Sequence, residues 1–242
     1  MLDFFTSNIV LLIIIAVIGY LLGSVNSAVL ITRAVMKNAD IRTMGSGNAG
    51  FTNVLRSVGK GPAIFTITFD FIKGVLSAVA GSILVYSFVT ASNPQLLAEY
   101  ARYGAYIGGL FCILGHMFPV YFGFKGGKGV VTSAALMAVV DIRVFALVLL
   151  TFLIVFLIKK IISLASLVCA VLFPVYTYYF AYMFDYMGSL NTEYPISMDY
   201  VMITTGFAVL IGLLVIIMHR KNIGRLIRGE EKKITSKKKQ SS

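Results

Sequence analysis

Long apolar runs separated by short polar stretches dominate this chain. They fall at about residues 8–32, 61–90, 103–122, 129–158, 161–184 and 200–218. No charged residue lies between Phe4 and Thr32, and a helix needs only about 20 apolar residues to cross the hydrocarbon of a bilayer. The runs are therefore read as membrane-crossing helices, because helices satisfy their own backbone hydrogen bonds in lipid. The expected fold class is all-α, a polytopic integral membrane protein.

The fourth run carries Asp141 and Arg143 near its middle and reads either as one long helix or as two. The placement of basic loops decides between them. With two helices, the basic stretch Arg33 to Lys60, the pair Lys125 and Lys128, Lys159–Lys160 and the tail from Arg220 share one side. Asp3, Glu99, Asp185, Glu193 and Asp199 then share the other, with Arg102 as a minor exception. One long helix would bury two charges at the bilayer centre. The expectation is seven transmembrane helices, the N-terminus outside and the C-terminus in the cytoplasm. The segment Val130 to Val140 is then short for a hydrocarbon core of about 30 Å.

Composition agrees: 58% of residues are hydrophobic and 13% charged, against about 25% charged in soluble domains. At this length, residues 1–242 form one membrane-embedded domain, with 232–242 a disordered basic tail drawn to anionic lipid. The first run is read as a transmembrane helix rather than a signal peptide, because Asp3 stands where a basic region would and the run is long. Cys112 and Cys169 sit in separate apolar runs and are read as buried thiols. The expectation is a monomer in the bilayer, with no nucleic-acid partner, no cofactor and no metal ligand set.

Three polar motifs interrupt the apolar pattern on the side assigned to the cytoplasm. The first is the loop Gly45-Ser46-Gly47-Asn48, continuing through Thr52, Asn53 and Arg56. Its hydroxyls and amides suit phosphate or polyol oxygens, and Arg56 suits a two-pronged grip on phosphate. Read alone, it is equally a solvated turn between helices.

The second motif runs from Gly123 to Gly129, with Lys125 and Lys128 among Gly126, Gly127 and Gly129. Glycines let backbone N–H groups approach an anion, and the lysines balance its charge. A basic membrane anchor is the plainer reading, but an anchor does not need four glycines. The motif is not a nucleotide-binding phosphate loop, because Gly129 stands where a magnesium-holding hydroxyl would be needed.

The third motif follows the last run: His219, Arg220, Lys221, Asn222 and Arg225, then Glu230. Arg220 and Lys221 satisfy the charge rule with no further purpose. His219 and Asn222 share a face if the helix continues. Within the membrane, Asp70 and Lys73 lie one helical turn apart and are read as a structural pair ahead of a functional one. His116 is likewise read as a structural histidine before a catalytic one.

Taken in order, these motifs resemble the bacterial acyl-phosphate-dependent glycerol-3-phosphate acyltransferases, over nearly the whole chain from Gly23-Ser24 to Glu230. The resemblance implies transfer of a fatty acyl group from acyl phosphate to the 1-hydroxyl of sn-glycerol 3-phosphate. The products are lysophosphatidic acid and inorganic phosphate, in the first acylation of phospholipid synthesis at the bacterial cytoplasmic membrane. It implies a catalytic set of Ser46, Arg56, Lys125, Lys128, His219, Asn222 and Glu230. Asn48, Thr52, Asn53, Gly126, Gly127, Gly129 and Arg225 would bind substrate. Ser46, Arg56 and one of the two lysines would hold phosphate, and His219 and Asn222 would contact glycerol phosphate.

That chemistry suits the residues. Acyl phosphate is already activated, so positioning and charge stabilisation carry much of the rate, and no serine here sits in a nucleophile elbow. The His-x-x-x-x-Asp pair of other glycerol-phosphate acyltransferases is absent: Tyr121 lies five residues after His116, and Gly224 five after His219. The competing class is a transporter of a phosphorylated solute. Polar groups at one face and the lack of an internal repeat count against it.

Overall fold

The computed structural model describes residues 2–37 and 39–234. These form helices joined by turns, with no strand among the described residues. A short α1, Leu2–Ser7, leads into α2, Ile9–Ser24, and α3, Ser27–Val35. A short helix α4, Phe51–Ser57, precedes α5, Lys60–Phe88, and α6, Pro94–Met117. Then come α7, Val130–Val140, α8, Ile142–Lys159, and α9, Ile162–Phe180. A π-helical stretch Ala181–Tyr186 continues α9 into the one-turn α10, Met187–Ser189. Finally α11, Met198–Met218, meets α12, Arg220–Ile227, at His219.

Local chemistry sets the boundaries. Asn93 caps α6 by accepting from the Leu96 N–H at 2.8 Å, and Pro94 occupies the first helical position, where no donor is missed. Asp141 caps α8 by accepting from the Arg143 N–H at 2.9 Å, so the fourth apolar run does break in two there. Arg143 also reaches Asp185 at 2.7 Å, and Glu99 accepts from the Ser197 hydroxyl at 2.7 Å. These charges gather at one end of the bundle, away from the three motifs.

Six helices among the described residues are long and apolar enough to cross a membrane, with α2 and α3 counted as one span broken near Val25. The exception is α7, whose 11 residues reach only about 16 Å at 1.5 Å per residue. Its Thr132, Ala135, Leu136 and Val140 are buried, and it packs against α5 and α6.

Helices α2, α5 and α6 approach closely along glycines. A Cβ added at Gly23 would lie 2.1 Å from the Cys112 carbonyl oxygen, and one at Gly81 would lie 2.1 Å from that of Gly104. Close backbone contact replaces the hydrophobic drive that lipid removes. Gly81→Leu should therefore cost about 1–3 kcal/mol by overpacking and lower the detergent melting temperature. An unchanged melting point would mean that α5 and α6 do not touch there.

The start of the basic tail lies against the body, with the Ile234 N–H donating to the Lys160 carbonyl at 2.8 Å. The rest of the expected tail, residues 235–242, lies outside the described residues.

Candidate active site

The first motif folds around one side chain. The Asn53 amide donates to the carbonyls of Ile41 (3.1 Å) and Met44 (2.9 Å), while its oxygen accepts from the Ser46 N–H (3.0 Å). Asn53 is 2% exposed, and Gly45, at φ +55, leaves no room for a side chain beside it. Asn53, expected to contact substrate, here uses its hydrogen bonds in shaping the loop. Ser46 remains exposed at the loop surface, Asn48 and Thr52 are half-buried, and Arg56 ends α4 with its guanidinium 3.3 Å from the Lys232 carbonyl.

The second motif folds back onto the C-terminal end of α6. The Gly126 N–H donates to the Met117 carbonyl (3.2 Å) and the Gly127 N–H to the His116 carbonyl (3.0 Å). These are orphan carbonyls of a helix end. The amides of Gly126 and Gly127, expected to cradle an anion, are engaged here in capping α6. A Cβ at Gly127 would lie 2.1 Å from His116 Nε2, so only glycine fits. Gly129, at φ +79, starts α7, and its carbonyl accepts from the Ser133 N–H at 2.8 Å. Between them the half-buried Lys128 projects toward the third motif.

There the Lys128 ammonium donates to the Asn222 side-chain oxygen. The Asn222 amide donates to Glu231 at 2.7 Å, and Arg225 Nε donates to the other oxygen of Glu231 at 2.6 Å. The Ser163 hydroxyl, from the start of α9, adds a third bond to Glu231 at 2.7 Å. Gly229, at φ +72, ends α12 and turns the chain so that Glu231 crosses back over it. Glu230 points away and pairs with the exposed Arg228 at 2.8 Å. The carboxylate brought to Asn222 and Arg225 is thus Glu231, the neighbour of the expected Glu230, and Ser163, which the sequence did not single out, joins it.

The two lysines of the second motif part company. Lys125 is exposed and lines a separate surface cavity of about 570 Å³ with Arg33, Arg42 and Tyr121. Lys128 lies with Asn222, Glu231, Arg225 and Arg56. Asp70, Lys73 and His116 form a buried cluster behind the second motif, with Asp70 and Lys73 paired at 2.9 Å.

Electrostatics follow from this crowding. Burial pushes Lys128 down to about 8; Glu231 opposes the shift, and Arg225 and Arg56 add to it. Burial raises Glu231, but hydrogen bonds from Arg225, Ser163 and Asn222 outweigh it and hold the carboxyl below its usual value. His219 is 2% exposed and is pushed down to about 4 by burial first and Lys128 second. Its Nδ1 lies 2.8 Å from the Val215 carbonyl. That carbonyl can only accept, so Nδ1 carries the proton and Nε2 offers a lone pair. Three cations against one carboxylate suit a phosphate dianion, beside a neutral imidazole acceptor.

An apolar cavity of about 430 Å³ adjoins this cluster, within the size range of ligand sites. Phe71, Met137, Val148, Phe173 and Ile211 line it, together with Val215, which holds His219. Among the described residues, no three His, Cys, Asp or Glu side chains gather as a metal site.

With this geometry in view, comparison with known proteins gives a consistent picture. The family model described as glycerol-3-phosphate acyltransferase matches residues 13–229. A glycerol-3-phosphate acyltransferase of Shouchella clausii is 38% identical, the alignment covering 95% of this chain and 98% of that protein. One from Chlorobium phaeobacteroides is 34% identical over 92% of this chain and 96% of its own. Among solved structures, the integral membrane glycerol 3-phosphate acyltransferase PlsY in its glycerol 3-phosphate form is similar, with a TM-score of 0.73 and 33% identity. That likeness covers 93% of this chain and 96% of the other.

Proposed function

Because this chain belongs to the glycerol-3-phosphate acyltransferase family and so acylates glycerol 3-phosphate, we propose that its acyl donor is acyl phosphate. The acceptor is the 1-hydroxyl, and the products are lysophosphatidic acid and inorganic phosphate. The reaction is the first acylation of phospholipid synthesis. The observation that carries this reading is the cluster of Lys128, Arg225 and Arg56 together with an apolar cavity lined by Val130, two residues from Lys128, and by Val215, whose carbonyl contacts His219. Phosphate heads would sit on the cations, and the acyl chain would enter laterally from the bilayer into the cavity. The similar PlsY has been solved in a glycerol 3-phosphate form and in a lysophosphatidic acid form, the latter with a TM-score of 0.71 to this chain.

The step needs no acyl-enzyme. The glycerol 1-oxygen attacks the acyl carbonyl carbon, the new C–O bond forms, and the bond from acyl carbon to phosphate oxygen breaks. The hydroxyl proton passes to a phosphate oxygen, which leaves as inorganic phosphate. His219 orients that hydroxyl through its Nε2 lone pair. With a pKa of about 4 it is a weak base, so its role is alignment rather than proton removal. Lys128 and the neighbouring guanidiniums offset charge on the leaving phosphate. Ser46 and Asn48 at the loop surface add donors to that phosphate, and Asn222 joins His219 on the acceptor.

The chain is further read as seven transmembrane helices, α7 included, with its N-terminus outside and this site facing the cytoplasm. Basic loops fall with the motifs while Asp3, Glu99, Asp185, Glu193 and Asp199 fall on the opposite side, as the positive-inside rule requires. It is also read as working as a monomer in the bilayer.

Purified protein supplied with palmitoyl phosphate and glycerol 3-phosphate should release inorganic phosphate only when both are present. Palmitoyl-CoA should not replace the donor, and equal or better use of it would overturn the acyl-phosphate assignment. His219→Ala should raise the KM for glycerol 3-phosphate by about 10- to 100-fold. The wild-type kcat/KM profile should show no inflection near pH 6.5 from this ring, because its proton is lost well below neutrality. An inflection there that disappears in His219→Asn would contradict the alignment role.

A further inference from the structure

The buried cluster behind the second motif takes no part in the chemistry above, yet its contacts point toward it. Helix α2 ends near Val25, inside the apolar run, and its last carbonyls have no helical amide to accept. The Lys73 ammonium, reaching across from α5, donates to the carbonyls of Val25 (2.8 Å) and Gly23 (3.1 Å). It also lies 2.9 Å from Asp70 Oδ1, which accepts from the Ser27 hydroxyl at 2.9 Å. Two helix-end carbonyls and a carboxylate make a donor set for a monovalent cation. Lys73 fills it with a cation tethered to the chain itself, 8% exposed.

The fourth contact faces the active site. Lys73 Nζ lies 3.1 Å from His116 Nδ1. An ammonium has no lone pair, so Nδ1 accepts and the ring proton sits on Nε2. A doubly protonated ring would set two cations 3.1 Å apart in a buried site, which desolvation forbids. Asp70 Oδ1 lies 3.5 Å from the same ring nitrogen but 2.9 Å from the ammonium, so Lys73 is its closer partner. Nε2 is then turned to Gly127, whose N–H is bonded to the carbonyl of the same histidine at 3.0 Å. Lys128 is the next residue.

We propose that Lys73 is a positioning residue for Lys128. Its tethered charge closes the break between α2 and α3 and fixes the tautomer and place of His116, against which the Gly127–Lys128 backbone is seated. The proposal rests on the assignment of Lys128 to the phosphate site.

The test uses the purified full chain with ¹⁵N-labelled histidine. The sequence has two histidines, so NMR shows two rings, separated by a His219→Asn variant. His116 should show a protonated Nε2 and a bare Nδ1, the opposite of His219, and the pattern should be lost in Lys73→Met. That variant should lose about 100-fold in kcat/KM, as a misplaced binding group does. Lys73→Ala should regain about 10-fold of its loss with ammonium or methylammonium, which fit the vacated cation site, but not with tetramethylammonium. A wild-type His116 protonated on Nδ1 overturns the proposal, as does a folded Lys73→Met enzyme with normal kcat/KM. Should Lys73→Met not fold, the wild-type tautomer still decides. Absence of wild-type turnover would instead count against the acyl-phosphate reading, since the NMR result does not depend on it.

Discussion

Lys128→Met should lower kcat/KM for acyl transfer by about 100- to 1,000-fold without unfolding the protein. The magnitude follows from removing a preorganised donor from a partly buried site, where charge stabilisation is worth more than in water. The position of Lys128 is set by its neighbours. Gly127 is pressed against His116 and Gly129 turns into α7, so the side chain is directed onto Asn222. Methionine keeps the stem and removes the charge, leaving Arg225 and Arg56 to hold phosphate alone.

The same residue gives a pH signature. In the free enzyme burial holds its pKa near about 8, so the ammonium is present below that pH and lost as pH rises through it. Because kcat/KM reports the free enzyme, it should fall above pH 8, while kcat falls later, since bound phosphate favours the charged form. Phosphate release measured across this range in wild type and Lys128→Arg is the check. The fall should vanish in the arginine variant, which does not titrate there. A fall that persists would assign it to another group, and unchanged kcat/KM in Lys128→Met would remove Lys128 from the phosphate site.

How much of this could be read beforehand depends on the range of the forces involved. The apolar runs mark the long helices because lipid demands some twenty apolar residues in a row. Asp141 marks the turn between α7 and α8 because one residue both caps a helix and resists burial. The break at Val25 lies in a run with no charge, and what stabilises it, Lys73, is 48 residues away from Val25. Hydropathy carries no trace of it.

The site shows the same division. Its residue types were legible, since phosphate needs donors and cations at one face. Their partners were not. Asn53 looks like any amide until the loop brings the Ile41 and Met44 carbonyls to it. Lys125 and Lys128 are three residues apart outside a helix, where spacing does not define a face. Glycine spacing in Gly19-x-x-x-Gly23 and Gly104-x-x-x-Gly108 was a usable signal for the close approach of α2, α5 and α6. The choice between Glu230 and Glu231 turns on a positive φ at Gly229, which no charge count reveals.

That last choice yields the second large effect. Glu231→Ala should lower kcat/KM by about 100-fold, whereas Glu230→Ala should leave it within about twofold, as surface changes do. Glu231 is bonded by Asn222, Arg225 and Ser163, which belong to α12 and α9. Its removal frees Asn222 to rotate off Lys128 and leaves the Arg225 guanidinium without its counter-charge. It also cuts the link that holds α12 onto the bundle at Ser163. Charged hydrogen bonds of this kind contribute about 1.5–3 kcal/mol each, and stranded partners cost more than the bond itself contributed. Glu230 pairs with Arg228, with both side chains more than half exposed, where an ion pair contributes little. Glu231→Gln separates the two parts of the argument. Its amide can accept from Asn222 but cannot balance Arg225, so it should keep the fold while losing most of the rate. Phosphate release and thermal melting of the three variants, measured side by side, decide the matter. A defect in Glu230→Ala with normal rates in Glu231→Ala would return the catalytic carboxylate to position 230.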